Sequence, residues 1–209
     1  MILHDYFRSG TSYRTRIALN LKGVAYDQRG IDLREGQQRS TTFLALNPQG
    51  MVPALETEDV VLTQSPAILE WLEETHPEPP LLPADATGRA QVRAMAALIG
   101  CDIHPLNNLR VLGAVRGLGA DPAAVDAWAG RWIGAGFDAL EVLVARHGDG
   151  WCFGAAPTLA DCYLIPQIYS ARRFNVDLSP WPRLLAVETA ALTHPAVAAA
   201  HPDRQPDAD

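Results

Sequence analysis

The sequence contains no apolar run of about 18 residues, the length that spans a bilayer as a helix. After Met1 comes the mixed segment ILHDYFRSG, so we expect neither an export signal nor a membrane segment, and a cytoplasmic protein. Cysteine is also scarce: three residues, odd in number and without CxxC or zinc-type spacing, namely Cys101, Cys152 and Cys162. That pattern argues against a disulfide framework or a metal site and predicts reduced thiols in the core.

The chain also has few positively charged residues. The chain has 17 Lys and Arg against 24 Asp and Glu, a formal net charge of -7 and a pI near 5.3. Because phosphate neutralisation requires a basic surface, we do not expect nucleic acid as a partner. Arginines still cluster at Arg8, Arg14 and Arg16 and at Arg172-Arg173. The sequence therefore leaves open whether these clusters bind anions, although the simpler interpretation of any one arginine is a solvated surface charge.

The first 80 residues mix strand and helix patterns. Segments resembling strands are ILHDYF, VAYDQRGIDL, MVPALET and VVLTQS, and helical segments are TSYRTRIALNLKG and SPAILEWLEETHP, which predicts a βαβ unit followed by ββα. Ser9, Thr11 and Ser12 are possible caps of the first helix. The second helix is predicted to have Ser65 as its N-cap and Pro66 at its first helical position.

Proline marks the boundary with a second region. The segment PEPPLLPAD cannot continue a helix, so we predict a mixed α/β domain at 1–80, a linker at 81–88 and an all-helical domain at 89–209. One long helix, predicted from TGRAQVRAMAALIGCDIHPLNNLRVLGAV, should kink at Pro105. Two more are predicted from DPAAVDAWAGRWIGAGFDALEVLVARH and from PTLADCYLIPQIYSARRF, which opens with the capping box Thr158 to Asp161.

Three short motifs have the chemistry to bind a peptide-like anion. The segment YFRSGTSYRTRIALNLKG places hydroxyl groups at a helix start, where free N–H groups and the helix dipole favour an anion such as a thiolate. The Val52-Pro53 bond can be cis, which would expose the Val52 backbone to a ligand. Gln64-Ser65 offers amide and N–H groups at a second helix start. Taken singly, each motif is more simply an ordinary cap or turn.

Together with ALNPQGMVPAL, CDIHPLNNLRVL and PTLADCYLIPQIYSARRFNVDLSPWP, these motifs resemble the glutathione transferase superfamily over nearly the whole chain. They are most similar to the zeta class and its bacterial maleylpyruvate and maleylacetoacetate isomerases. The resemblance implies a thioredoxin-like glutathione-binding domain followed by an all-α domain, a homodimer, and glutathione as the cofactor. Where many zeta proteins have Ser-Ser-Cys, this chain has Ser9-Gly10-Thr11, so the thiol must come from glutathione itself.

The same resemblance assigns roles to residues. Ser9 would polarise the thiol of glutathione, and the Val52 backbone would pair with its cysteinyl part. Gln64 and Ser65 would hold the γ-glutamyl end. The expected catalytic residues are Arg8, Ser9 and Thr11. Further expected cofactor-binding residues are Gly10, Gln38, Gln49, Pro53, Asp102, His104, Asn108 and Arg110. The expected substrate-binding residues are Arg8, Arg110 and Arg173.

Some assignments stay open on the sequence. The segment REGQQRST allows either Gln37 or Gln38 to lie near the glycyl end of glutathione. Arg172 and Arg173 differ by about 100° around a helix, so they should not share one role, and the resemblance favours Arg173.

The long helix poses a geometric problem. His104 and Asn108 share a face at i and i+4, whereas Arg110 lies about 200° further round than Asn108 on an ideal helix. A kink at Pro105, or residues from a neighbouring subunit, would be needed to bring all three to one site.

The resemblance predicts a glutathione-dependent cis-trans isomerase of a maleyl keto acid, in the catabolism of aromatic compounds or amino acids. The substrate would be a small dicarboxylic keto acid, either maleylpyruvate or maleylacetoacetate, which differ only in the acyl tail. A glutathione transferase or dehalogenase acting on small electrophilic acids is an alternative with the same thiolate. A noncatalytic glutathione transferase-like binding module is a third possibility, and retention on a glutathione column would test it first.

Overall fold

Residues 1–208 are described by a computed structural model, in which the chain divides into two units. One unit comprises residues 1–80 together with 193–208, and the other comprises residues 81–192. Residues 89–209 are predicted to form the helical domain, whereas in the structure the segment after residue 192 belongs to the first unit. Arg16 Nε donates to the Ala200 carbonyl oxygen at 3.1 Å, and Asn20 Nδ2 donates to that of Ala196 at 3.0 Å. These long-range bonds hold the segment there.

A four-stranded mixed sheet is the centre of the first unit. Its strands are β1 Ile2–Asp5, β2 Asp27–Gly30, β3 Ala54–Glu56 and β4 Val61–Thr63, in the order β2-β1-β3-β4. β1 is parallel to β2 and antiparallel to β3, which is antiparallel to β4. Leu3 in β1 lies opposite Gln28 on one side and Leu55 on the other. This confirms the predicted thioredoxin-like arrangement, since the parallel pair needs the helical crossover that follows β1.

The helices, in chain order, are α1 Gly10–Leu21, α2 Thr41–Leu46, α3 Ser65–Thr75, α4 Ala86–Ala97, α5 Leu109–Gly117, α6 Pro122–His147, α7 Leu159–Arg173, α8 Pro182–Thr193 and α9 Pro195–Ala199. Among the described residues, none of them is long and apolar enough to cross a membrane. α3 differs from the prediction at its start. Gln64, with φ 68° and ψ 108°, is the capping residue, and Ser65 is already the first residue of the helix.

The segment predicted as one kinked helix is instead broken. α4 is followed by a π-helical turn, Leu98–Ile103, a 3-10 turn, His104–Asn107, and then the new helix α5. The 3-10 turn contains Pro105, whose ring does not fit a continuous α-helix. Asn108 caps α5, and its Oδ1 accepts hydrogen bonds from the backbone N–H groups of Arg110 and Val111 at 3.0 and 3.2 Å. The prediction that His104 and Asn108 share one helical face is therefore wrong.

α6 and α7 confirm two predicted helices. Their buried residues include Ile133 and Phe137 of α6 and Ile168 of α7, each 0% exposed. The predicted capping box is present: the Thr158 side chain accepts from the Asp161 backbone N–H, and the Asp161 carboxylate accepts from the Thr158 N–H at 2.8 Å. These local signals were sufficient to predict where α7 begins.

Two expectations about single side chains are wrong. Arg14 and Arg16 are buried rather than solvated, and Arg16 Nη1 lies 2.6 Å from Asp5 Oδ2 with both side chains fully buried. Cys101, Cys152 and Cys162 form no disulfide within residues 1–208, but Cys101 is exposed instead of lying in the core. It occupies the π-helical turn, in which Ile99 and Ile103 take the buried positions.

Candidate active site

Three of the predicted site residues are joined by hydroxyl hydrogen bonds at the start of α1. Ser9 caps the helix, and its Oγ accepts from the Ser12 N–H at 3.3 Å. The Ser9 and Thr11 hydroxyl oxygens are 2.9 Å apart, and Thr11 Oγ1 donates to the Val52 carbonyl oxygen at 3.0 Å. Because Thr11 has a single hydroxyl hydrogen and gives it to Val52, the Ser9 hydroxyl is the donor to Thr11. Ser9 is thus oriented by its neighbours on both sides.

The turn before β3 completes this arrangement. Val52 and Pro53 are both buried, and the peptide bond between them is cis. Gly10, between the two hydroxyl residues, is the first residue of α1. The Thr11 bond therefore ties the start of the helix directly to the turn that carries Val52.

A second group of predicted residues meets at the start of α3. Gln64 Nε2 donates a hydrogen bond to Gln49 Oε1, and both side chains are exposed. Ser65 is buried, and its Oγ accepts from Arg14 Nη1 at 3.0 Å. A guanidinium only donates, so the Ser65 hydroxyl keeps its own hydrogen to donate to another group.

The two candidate glutamines, in the 3-10 turn Gln37–Arg39 between β2 and α2, differ in their surroundings. Gln37 Oε1 accepts from the Asp32 N–H at 2.9 Å, so this side chain is used within its own loop. Gln38 Oε1 is buried and has no hydrogen-bond partner within residues 1–208. Gln38 also lies beside Gly50, where an added Cβ would come within 3.1 Å of the Gln38 carbonyl oxygen. Gln38 is therefore the one with an acceptor left for a ligand, close to Gln49.

Arg8 directly precedes Ser9 and is half-buried. Its Nη2 donates to the Tyr6 hydroxyl at 3.1 Å, and its guanidinium carbon lies 5.1 Å from the centroid of the Phe7 ring. The aromatic contacts favour the cation in this position. Arg8 Nε is buried without a hydrogen-bond partner in the described part of the chain, so it remains a potential donor to an anion.

The second unit contains the remaining predicted cofactor-binding residues. Asp102 lies exposed in the π-helical turn, and His104 is half-buried in the 3-10 turn that follows. Asn108 uses its side-chain oxygen to cap α5, which leaves its NH₂ group for a ligand. Arg110, in the first turn of α5, is exposed. The π-helical turn, the 3-10 turn and the cap thus bring these four residues onto consecutive turns of one segment.

The neighbouring arginines at the end of α7 have different environments. Arg172 makes a two-pronged ion pair with the Glu188 carboxylate in α8. Arg173 is exposed and forms no ion pair with any residue in 1–208. Of these two neighbouring arginines, Arg173 is therefore the one whose guanidinium is in no ion pair within residues 1–208.

Comparison with known proteins decides the family. A profile described as Glutathione S-transferase, N-terminal domain, matches residues 8–75, and a profile described as Glutathione S-transferase, C-terminal domain, matches residues 122–189. The chain belongs to the glutathione S-transferase family. No cluster of three or more potential metal ligands occurs among its described residues.

Relatives place this glutathione S-transferase in the zeta class, as its motifs predict. It is 56% identical to the maleylpyruvate isomerase of Ralstonia sp over 211 residues, or 99% of each chain. A holo structure of a maleylpyruvate isomerase, described as a bacterial zeta-class glutathione S-transferase, matches with a TM-score of 0.98, 55% identity and 100% of each chain. The maleylacetoacetate isomerase of Anaeromyxobacter dehalogenans 2CP-1 with glutathione in its active site matches with a TM-score of 0.90 and 46% identity, over 100% of this chain and 97% of that one.

Sequence reasoning missed the contribution of Arg14 to this glutathione S-transferase. In the sequence Arg14 is only one member of a basic cluster, yet its buried guanidinium donates a hydrogen bond to Ser65 across 51 residues of sequence. The available signal is its position in a predicted helix near the apolar residues Tyr13 and Ile17, because burying a cation is costly unless it has partners.

Proposed function

We propose that this glutathione S-transferase is a glutathione-dependent cis-trans isomerase of a maleyl keto acid, either maleylpyruvate or maleylacetoacetate. The observation that carries the proposal is the Ser9 hydroxyl at the N-terminus of α1, linked through Thr11 to the Val52 carbonyl. The relatives named maleylpyruvate isomerase and maleylacetoacetate isomerase support this choice of reaction.

The residues of the first unit fit glutathione. The buried Gln38 Oε1, which has no partner within residues 1–208, is suited to accept an N–H group at the glycyl end. The Ser65 hydroxyl and the start of α3 suit the γ-glutamyl carboxylate, because a helix N-terminus presents free N–H groups to an anion. The Val52 carbonyl accepts one bond from Thr11 and has a second lone pair for the cysteinyl N–H. Gln49 and Gln64 lie in contact beside these groups.

Four residues of the second unit belong to the same proposal. We assign further contacts with glutathione or with the acidic substrate to Asp102, His104, Asn108 and Arg110. Their chemistry supports this assignment, because the group offers an amide NH₂, an imidazole and an exposed guanidinium on one segment.

Glutathione, when bound, supplies the thiolate for a reversible addition to the carbon-carbon double bond, which permits rotation and regenerates the cofactor. A free thiol has a pKa of about 8.5, so at neutral pH the anion needs stabilisation. Ser9 provides it by turning its hydroxyl hydrogen from Thr11 to the sulfur, at the positive end of the α1 dipole. Ser9 Oγ keeps its bond from the Ser12 N–H while this occurs. Thr11 remains fixed by Val52.

Arginines suit the two carboxylates of the substrate, because a planar guanidinium binds a carboxylate in bidentate fashion. Arg8 is adjacent to Ser9 and has a buried Nε without a partner in the described chain. These observations support assigning Arg8 to the stabilisation of the negative charge that develops on the substrate carbonyl. Arg110 and Arg173 are exposed guanidiniums of the second unit. Arg172 is not assigned to the substrate, because its guanidinium is paired with the Glu188 carboxylate.

We also propose that the protein is a cytoplasmic homodimer that acts in the catabolism of aromatic compounds or amino acids. These assignments rest on the resemblance to the zeta class. Sedimentation velocity at micromolar concentration should give the mass of a dimer. A fully active monomer would contradict this part of the proposal.

The test is to measure isomerisation of maleylpyruvate and of maleylacetoacetate with and without glutathione. We expect turnover of at least one substrate only when glutathione is present, and the ratio of the two rates identifies the preferred acyl tail. S-methylglutathione is the matched control, because it offers the same backbone but no thiol. Turnover with S-methylglutathione, or no turnover of either substrate by protein that binds glutathione, would refute the proposal.

A further inference from the structure

The segment of residues 193–208, here called the return segment, contacts the connection between β1 and α1. Asp207 Oδ2 accepts a hydrogen bond from the Phe7 N–H at 3.0 Å, across 200 residues of sequence. Ala208 packs against a buried cluster that includes Tyr6, Phe7 and Val52. The contact therefore falls two residues before Ser9.

The Phe7 peptide is held on both sides. Its carbonyl oxygen accepts from Arg16 Nη2 at 2.8 Å, while its N–H is bound by Asp207. Arg16 is itself fixed by Asp5 Oδ2 at 2.6 Å and by the Ala200 carbonyl of the return segment at 3.1 Å. Since both polar groups of Phe7 are bound, the backbone that leads into Arg8 and Ser9 has a defined direction.

The part of the return segment that carries Asp207 is held in place through Gln205, two residues earlier in the chain. Gln205 Nε2 donates to the carbonyl oxygens of Ala199 and His201 at 2.9 and 2.7 Å, and its Oε1 accepts from Gln28 Nε2 at 3.0 Å. Gly30, at the end of β2, allows Asp207 to approach closely, since a Cβ there would lie only 3.2 Å from Asp207 Cβ. The carboxylate is thus placed by the return segment and by the edge of the sheet.

We propose that Asp207 is a positioning residue, which acts through the Phe7 N–H to set the place of the Ser9 hydroxyl and of the neighbouring Arg8 guanidinium. The inference rests on the proposed function, in which Ser9 stabilises the glutathione thiolate. The charge of Asp207 would by itself work against this role, because a nearby anion disfavours a thiolate. Its effect comes through geometry, and a small misplacement of a reacting group lowers rates steeply.

Positioning and charge predict opposite changes in the thiol pKa of bound glutathione, so the variants Asp207→Ala and Asp207→Asn distinguish them. The pKa of the bound glutathione thiol is measured from thiolate absorbance during a pH titration, with isomerisation kinetics and glutathione calorimetry alongside. Positioning predicts that Asp207→Ala raises the thiol pKa and lowers kcat by up to about 100-fold, while glutathione affinity is kept. Asp207→Asn retains an acceptor oxygen for Phe7 and should behave as the wild type. Asp203→Ala, in the same segment but with a side chain 75% exposed, is the matched control and should change nothing.

Other outcomes overturn the inference. An unchanged thiol pKa in folded Asp207→Ala would show that the contact is only structural. An equal fall in the thiol pKa for Asp207→Ala and Asp207→Asn would show that Asp207 acts by charge. Absence of thiolate in the wild type would instead refute the proposed function.

A second variant covers the case in which Asp207→Ala does not fold. Gly30→Ala adds a methyl group in close contact with Asp207 Cβ and leaves the carboxylate itself unchanged. It should also raise the thiol pKa, by less than Asp207→Ala does. A wild-type thiol pKa in Gly30→Ala, with calorimetric binding retained, would also count against the positioning role.

Discussion

Thr11 in α1 and Val52 in the turn before β3 are joined by one hydrogen bond, from the threonine hydroxyl to the backbone carbonyl at 3.0 Å. Many zeta-class proteins are expected to have cysteine where this chain has Thr11. A hydroxyl there makes a stronger and better-directed hydrogen bond than a thiol, which is a weak donor. A threonine at this position therefore lacks the potential nucleophile but connects the start of α1 more firmly to the turn before β3, the two parts of the proposed glutathione site.

That connection predicts the effect of Thr11→Val. Valine has nearly the same shape but no hydroxyl, so the buried Val52 carbonyl loses a donor. We expect the free energy of unfolding to fall by about 1–3 kcal/mol, whereas the thiol pKa of bound glutathione stays low because Ser9 is intact. Urea denaturation and thiolate titration are the measurements. Thr11→Ser, which keeps the hydroxyl, is the control, and equal stability of the two variants would contradict the prediction.

Substitutions of Ser9 and of Ser65 should have different effects, the first on thiolate formation and the second on glutathione binding. Ser9→Ala removes the donor to the sulfur and should raise the thiol pKa and slow turnover, with most glutathione affinity retained through Gln64, Ser65 and the Val52 backbone. Ser65→Ala removes a donor to a carboxylate and should weaken affinity by about 1.5–3 kcal/mol, with the thiol pKa unchanged. Calorimetry and thiolate absorbance distinguish the two. If both variants altered the same quantity, this division of roles would be wrong.

The cysteines should be dispensable for catalysis. Burial, and secondarily the neighbouring Asp161 carboxylate, raise the pKa of the Cys152 thiol well above its usual value, and a protonated thiol is unreactive. Iodoacetamide should therefore label the exposed Cys101 alone in the folded protein and all three cysteines in urea, as read by mass spectrometry. Cys101→Ser should retain full isomerisation. Lost turnover in folded Cys101→Ser that still binds glutathione would contradict this expectation.

Features with local signals were predictable from the sequence. The starts of α1 and α7 follow from Ser9 and from the Thr158 to Asp161 box, because capping groups lie within three residues of the N–H groups that they bind. α2 was missed because its six residues are too few to show a helical period. The break around Pro105 was anticipated only as a kink. A proline locates a disruption, whereas the π-helical turn at Leu98–Ile103 depends on packing.

Long-range partners could not be read from the sequence. Asp5 and Arg16 form a fully buried pair, and Asp207 binds Phe7 across 200 residues, and no periodic pattern encodes such contacts. The candidate site lies between these cases. Ser9, Val52, Gln64 and Ser65 look locally like ordinary caps and turns, and only the family resemblance assigns all four to one site.

Arg172 and Arg173 illustrate how the structure sharpens an open choice. The two residues are adjacent in sequence and both arginine, but the Arg172 side chain is paired with a Glu188 side chain that is 8% exposed, while Arg173 is exposed and unpaired within residues 1–208. A variant of each thus serves as the control for the other. The same pair of measurements, stability and kcat/KM for the dicarboxylate, applies to both.

Arg172→Ala should lower the stability of the fold. It leaves the largely buried Glu188 carboxylate without its partner, and because Arg172 itself is half-exposed we expect a loss of about 1–3 kcal/mol in the free energy of unfolding.

Arg173→Ala should leave the free energy of unfolding within about 0.5 kcal/mol of the wild type. It should lower kcat/KM for the substrate by about 1–2 kcal/mol, as expected for losing a charged hydrogen bond at an exposed position. Arg173→Lys should restore only part of this, because an ammonium cannot bind a carboxylate in bidentate fashion. The kinetic effect should shrink at high salt, since exposed charges are screened. If Arg172→Ala lowered kcat/KM at unchanged stability while Arg173→Ala had no kinetic effect, the substrate contact would belong to Arg172 instead.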